Sequence, residues 1–367
     1  MKIVSPSIPA RRLVAAGVAA AAALAVTVAP EATATSAAPG APNAVAKKLL
    51  SPLSVDVTAK DAVVYSANFA GTLYLKKPGK KAEVIFQSAK QREVGAIAVD
   101  RTGAWFVHGA TLMRRTWKGE RSAVANLGKF EKAENPDGDV TYGAPTVSEE
   151  CASQFPTGEG TLPPQYEGIV ESHPYGTAAV GRQAYVADAA GNTILRVGRN
   201  GSVESVAVLP PIPVEITAEV AEGLGFPECS VGHDYNFEPV PTDVEMGPDG
   251  LLYVTSLPGG PEDGTVPGGV FTVDPASGEV AEVASGLVSA TGLDVAPNGD
   301  VYVSELFAGK ITRIPAGGGE PSTYLEVPLP AAVEIKGRHL YTTENVLTGL
   351  SGEPGDVPAG KVVRYKR

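Results

Sequence analysis

The chain has 367 residues, with 30 Lys and Arg against 41 Asp and Glu, a formal charge of −11. Nucleic-acid affinity comes largely from cationic side chains neutralising phosphates, so an acidic chain without a basic cluster is a poor binder of nucleic acids, and of anionic membrane surfaces for the same reason. The 42 Gly and 31 Pro are dispersed between short apolar runs, which predicts many short strands instead of a few long helices.

Residues 1–34 read as a secretory signal peptide. Lys2, Arg11 and Arg12 form a positive start, Leu13 to Ala29 an Ala- and Val-rich apolar stretch, and Ala32-Thr33-Ala34 a run of small residues suited to cleavage. The apolar stretch is short and weakly apolar for a membrane span, so no span is expected after cleavage. Removing Lys2, Arg11, Arg12 and Glu31 takes the charge from −11 to −13. Residues 35–43 read as a disordered linker, residues 44–367 as one domain, and the mature chain as secreted and extracellular. Arg11-Arg12 leaves both general and twin-arginine export open.

A motif then recurs at intervals of about 40 residues. Its second strand reads Val64-Tyr65-Ser66-Ala67-Asn68, Trp105-Phe106-Val107-His108-Gly109, Ala184-Tyr185-Val186-Ala187-Asp188, Leu252-Tyr253-Val254-Thr255-Ser256, Val301-Tyr302-Val303-Ser304-Glu305 and Leu340-Tyr341-Thr342-Thr343-Glu344. Ahead of it lies an alternating first strand, clearest at Thr242 to Met246 and Thr291 to Val295, joined by turns such as Pro248-Asp249-Gly250 and Pro297-Asn298-Gly299. A third strand ends apolar-basic-apolar, as in Leu195-Arg196-Val197, and a fourth usually follows. Four antiparallel strands repeated six times predict an all-β fold, a six-bladed β-propeller, because a ring leaves few exposed edges. The sixth copy stops after its third strand, so residues near Ala44 to Leu50 are expected to supply the fourth and close the circle by pairing the two ends of the domain.

Insertions at about 130–170, 210–238, 257–269 and 346–360 depart from the repeat, and the strand connections they occupy place all four on one face. Long loops on a rigid scaffold are where binding concentrates. Thr146 and Glu149 form a capping-box pattern predicting a short helix over Val147 to Ser153, and Glu215 to Leu224 a second, both over the central channel. Cys151 and Cys229, the two cysteines of the chain, read as one disulfide joining two insertions.

Ser172-His173-Pro174-Tyr175-Gly176, Tyr185 to Asn192 with Asp188-Ala189-Ala190-Gly191, and Val240-Pro241-Thr242-Asp243-Val244 running into Gly247-Pro248-Asp249-Gly250 resemble the ScyD/ScyE family of secreted proteins, related to propellers of the NHL and gluconolactonase type. The likeness covers roughly residues 51–367. It implies a propeller fold and export, with no reaction to assign to named residues, and the second copy departs from it at Gly109, where the others carry a polar or acidic end.

The residue three after the strand-two aromatic is Asn68, Asp188, Glu305 or Glu344 in four copies. Gathered at one channel mouth, such hard oxygen ligands suit Ca²⁺ or Mg²⁺, and gluconolactonase-like propellers use a comparable set. The alternative is that each bonds nearby backbone. Asp56, Glu245, Asp294 and Glu334 share an offset on strand one and line either a solvated channel or a cation site. His173, Tyr175, His233, Asp234 and Tyr235 lie on the insertion face as candidate ligand-binding residues. His173 and His233 are general-base candidates if a carboxylate and substrate come within reach. No G-x-S-x-G elbow or dinucleotide fingerprint is present. The leading expectation is a non-catalytic ligand-binding or assembly module, taking a small molecule, glycan or protein at the insertion face; a divalent-metal-dependent hydrolase or lactonase is the alternative.

Overall fold

The computed structural model describes residues 40–158, 160–261 and 264–367. The signal peptide at 1–34 and residues 35–39 of the linker lie outside the described residues. The described chain is nearly all-β, with seven four-stranded antiparallel sheets.

Six sheets contain the six copies of the motif. Sheets one to five each fold as four consecutive strands, beginning at Val55, Val94, Pro174, Pro239 and Ala290. The sixth is Val333–Lys336, His339–Glu344 and Gly360–Lys366, completed by the N-terminal strand Asn43–Leu49. Asn43 faces Arg364 and Leu49 faces Gly360 across that pairing. The expected fourth strand is therefore present, starting one residue earlier than the pattern suggested.

The apolar residues of the strands are shared between neighbours. Val64, Leu73 and Phe86 of sheet one pack with Ile97 and Phe106 of sheet two. Sheets two and three meet through Trp105, Leu112, Val186 and Leu195. Further cores join three to four, four to five and five to six. A sixth joins Ala332, Tyr341 and Val362 of sheet six to Val55 and Tyr65 of sheet one. Each sheet thus buries both faces, which explains why second strands read apolar almost throughout instead of alternating.

Strand one carries a recurring bulge, at Pro174/Gly176, Pro241/Asp243 and Ala290/Gly292. Glycine there allows the next sheet's first strand to approach: a Cβ on Gly176 would lie 2.5 Å from Asp243 Cα, and one on Gly292 2.5 Å from Ala331 O. Asn200-Gly201 forms a turn, with Gly201 at φ 86°.

The seventh sheet was not legible as a strand pattern. It is built from the first two insertions: Gln165–Glu167, Thr141–Gly143, Asp234–Phe237 and Ile212–Glu215. Cys151 and Cys229 are joined by a disulfide with a Cα separation of 5.8 Å. Three helices accompany the insertions. α1 (Leu127–Glu134), which the sequence reading did not anticipate, is capped by Asn126, whose side chain accepts from Lys129 N–H. α2 (Glu149–Ala152) takes Ser148 as its cap, correcting the expected Thr146, because the Ser148 hydroxyl is the group that accepts from Cys151 N–H. α3 (Ala218–Leu224) is capped by Thr217. Phe155, Phe226, Tyr235 and Phe237 form the core beneath, with Val266 of the third insertion. No helix among the described residues is long and apolar enough to cross a membrane.

Candidate functional site

Asn68, Asp188 and Glu305 end the second strands of sheets one, three and five, and each bonds the backbone entering strand one of its own sheet. Asn68 Oδ1 accepts from Leu53 N–H at 3.4 Å, Asp188 Oδ1 from His173 N–H at 2.6 Å, and Glu305 Oε2 from Val288 N–H at 2.7 Å. Further donors complete them: Ser66 for Asn68, Ser172 for Asp188 (2.6 Å), and Thr312 with Lys310 for Glu305. Glu344 accepts from Tyr365 hydroxyl at 2.6 Å and lies 3.8 Å from Lys361 Nζ. Among the described residues no three His, Cys, Asp or Glu side chains are grouped as metal ligands would be. Three of the four positions are thus placed as backbone anchors of separate sheets, and Glu344 is held by side chains of its own sheet's third strand.

One of them borders a cavity of about 170 Å³ lined by Asn68, Glu93, Gly95, Ser172, His173 and Tyr175, among others. His173 Nε2 lies 3.1 Å from Glu93 Oε2, and Asn68 Nδ2 donates to Glu93 Oε1 at 2.9 Å. Burial pushes the Glu93 carboxyl up, but the hydrogen bond and charge of His173, with the Asn68 amide, bring it below the usual carboxylate range. The bond to Glu93 in turn raises the His173 imidazole against its burial. Tyr175 stands edge-on to the His173 ring at 5.9 Å. The His173 side chain stays half exposed, so a fixed imidazole faces the cavity. Glu93 escaped the sequence reading: it precedes strand one of the second sheet, and its partner is 80 residues away.

The other candidate run goes elsewhere. His233 Nδ1 is 2.9 Å from Thr146 Oγ1, and Asp234 begins a strand of the seventh sheet. Tyr235 is fully buried with its hydroxyl donating to Pro163 O at 2.9 Å, so packing, not surface binding, occupies it. His173 and Tyr175 are brought together; His233, Asp234 and Tyr235 belong to the insertion sheet.

The first strands bring Asp56, Glu245, Asp294 and Glu334 together as their shared offset predicts, and add Asp243 two residues before Glu245 on the same face. Three aspartates tie adjacent sheets: Asp56 accepts from Val99 N–H (2.6 Å), Asp243 from Leu293 N–H (3.0 Å), and Asp294 from Ile335 N–H. Burial raises Asp56 to about 6 against these backbone donors, and Asp243 and Asp294 to about 7, with neighbouring carboxylates adding to the rise. Burial and the surrounding acids push Glu245 and Glu334 well above their ordinary values. A cavity of about 960 Å³ opens beyond them on the side of the strand-one turns, with Lys60, Lys77, Arg101 and Trp117 in its walls.

Sheets sharing apolar cores and touching through their first strands define a β-propeller protein. Solved structures agree on the fold. A streptogramin B lyase superposes with TM-score 0.53 at 13% identity over 89% of this chain and 98% of its own. A PQQ-bound aldose sugar dehydrogenase from Streptomyces coelicolor gives 0.54 at 13% over 90% and 99%. A gluconolactonase from Xanthomonas campestris gives 0.53 at 13% over 89% of each. At these identities the likeness concerns the fold alone. No family model and no curated protein sequence matches the chain.

Proposed function

We propose that the chain is a secreted, extracellular module whose six repeat sheets close into one six-bladed ring, and that it binds a small polar ligand at the insertion face without transforming it. The likeness of its motifs to the ScyD/ScyE family supports export, and the disulfide is consistent with it. Pairing of Asn43–Leu49 with Gly360–Lys366, and the core shared by sheets six and one, support the ring. The observation that carries the non-catalytic reading is the internal bonding of Asn68, Asp188, Glu305 and Glu344, which leaves their oxygens engaged within their own sheets. The cavity at Glu93, His173 and Tyr175 offers the binding chemistry: an imidazole whose cationic form Glu93 favours for an anionic group, a carboxylate for hydroxyls, and a ring edge for an apolar face. An acidic sugar fits that set.

One observation favours the alternative of a hydrolase of the gluconolactonase kind: a half-exposed imidazole oriented by a carboxylate, as a general base requires. Two measurements separate the readings. Glucuronate titrated into the protein, followed by histidine-ring NMR, is expected to move the His173 signals and leave those of His233. Gluconolactone with added Ca²⁺, Mg²⁺, Mn²⁺ or Zn²⁺ is expected to hydrolyse no faster than in buffer. Hydrolysis abolished by His173→Asn would overturn the binding reading.

A further inference from the structure

Helix α1 ends beside a pocket of oxygens that the fold leaves unanswered. Both carboxylate oxygens of Glu131, together with Oδ1 of Asn135, Asp137 and Asn192, are buried without a well-formed hydrogen bond, and the backbone N–H of Glu171 is the one protein donor turned toward Glu131. Glu131 is 1% exposed, Asp137 0% and Asn192 1%. Burying an ionised carboxylate without a partner costs several kcal/mol, so natural proteins pair it, protonate it or give it a metal. Here no Lys, Arg or His stands beside either carboxylate among the groups that set their ionisation. Burial, with the charges of the nearby Asp188 and Asp137, raises Glu131 to about 7 against the opposing backbone N–H of Glu171.

Several contacts tie Glu131, Asp137 and Asn192 together, and Asn135 joins them through Gly168, whose carbonyl accepts from Asn135 Nδ2 at 3.2 Å. Asn192 Nδ2 donates to Asp137 Oδ2 at 2.8 Å and approaches the Tyr142 hydroxyl at 3.2 Å, while that hydroxyl donates to Asp137 Oδ2. The backbone before Asn192 lies against Glu131: a Cβ on Gly191 would sit 3.0 Å from Glu131 Oε2. Gly168 closes on the other carboxylate, where a Cβ would sit 2.3 Å from Asp137 Oδ1. Side chains are excluded from both approaches, so no side-chain donor reaches the oxygens from Gly191 or Gly168.

We propose that Glu131 and Asp137, with the amide oxygens of Asn135 and Asn192, hold a Ca²⁺ ion. Two carboxylates neutralise the divalent charge, and Ca²⁺ accepts carboxylate, amide and backbone oxygens in irregular geometry, whereas Mg²⁺ demands a near-ideal octahedron. The set is distinct from Asn68, Asp188, Glu305 and Glu344. Asn135 and Asp137 belong to the first insertion, and Asn192 to the turn between the second and third strands of the third sheet. The ion therefore fastens the base of the insertion to the sheet beneath it, whatever ligand the protein takes.

The test is calorimetric titration of the purified full chain, stripped with EGTA and desalted, with CaCl₂ and separately with MgCl₂, alongside thermal unfolding. One Ca²⁺ per chain is expected, with Mg²⁺ bound far more weakly and a midpoint rise on the order of 4 °C at a hundredfold excess over Kd. Glu131→Gln is expected to abolish uptake while raising the midpoint in EGTA, since it removes an unpaired buried charge; Asp137→Asn serves if that variant does not fold. Absence of uptake with equal midpoints in Ca²⁺ and EGTA would mean that water alone fills the site and overturns the proposal. Uptake lost on Glu305→Gln but kept by Glu131→Gln would also overturn it, and would place a metal at the channel mouth instead.

Discussion

Asp56, Asp243, Glu245, Asp294 and Glu334 give the protein an unusual pH response, which neutralising Glu245 exposes. Burial holds Asp56 at about 6 and Asp243 and Asp294 at about 7, from ordinary values of 3.8. Folded, they keep protons that the unfolded chain has released above about pH 4, so stability falls as pH rises from there to about 7. A shift of about two units in Asp56 alone corresponds to roughly 3 kcal/mol, and because the groups titrate together that figure serves for the set. About half of it is lost between pH 5 and pH 8, which for a domain of this size amounts to a midpoint on the order of 2 °C lower at pH 8 than at pH 5. His173, raised by Glu93, adds in the same direction, since its contribution is lost as pH climbs through its folded value. Glu93, Asp100 and Asp300, held low by hydrogen bonds and charged partners despite burial, withdraw stability only on the acid side. Glu245→Gln removes a charge that repels Asp294, Asp243 and Asp56. It is expected to raise the midpoint at pH 8 and flatten the slope in thermal denaturation followed by circular dichroism in EGTA. A wild-type midpoint that is flat or rising from pH 5 to 8, or a Glu245→Gln variant less stable than wild type at pH 8, would refute this reasoning.

Replacing both cysteines with serine opens a link across 78 residues; a loss of about 4 kcal/mol is expected from chain entropy, read as a lower urea midpoint with greater proteolysis in the insertions than in the repeat sheets. Trp105 is buried between sheets two and three, donates to Asp100 Oδ2 at 3.2 Å and stacks beneath Arg114 at 4.9 Å. Trp105→Ala is expected to cost about 3–5 kcal/mol in urea denaturation. Asp188→Asn keeps the shape of the anchor but places an amide N–H opposite either His173 N–H or Ser172, and is expected to lose about 1–3 kcal/mol, with His173 NMR signals displaced.

The repeat sheets were legible because tyrosine-led second strands and Asp-Gly or Asn-Gly turns state their own local structure. The seventh sheet was not: Thr141–Gly143 and Gln165–Glu167 are three residues each, too short for a period, and they are held by partners far along the chain. Asp243 could have been found, since it stands two residues before Glu245 and a strand returns to the same face every second residue. Glu93 could not, because its significance comes from His173, which only the tertiary fold brings near. Asn68, Asp188, Glu305 and Glu344 were placed correctly at strand ends, but whether a carboxylate faces a metal or a backbone amide depends on loops such as Ser172-His173 that no repeat pattern describes.

The ring is the claim on which the insertion face and channel depend, and Ala44, which faces Val363 across the joined ends, allows it to be probed in solution. The double variant Ala44→Cys with Val363→Cys is to be purified under oxidising conditions and examined by mass spectrometry with alkylation. A closed ring predicts a second disulfide, absence of alkylation in the native protein, and a raised urea midpoint that reduction reverses. Two freely alkylated thiols in a folded protein of wild-type stability would contradict it.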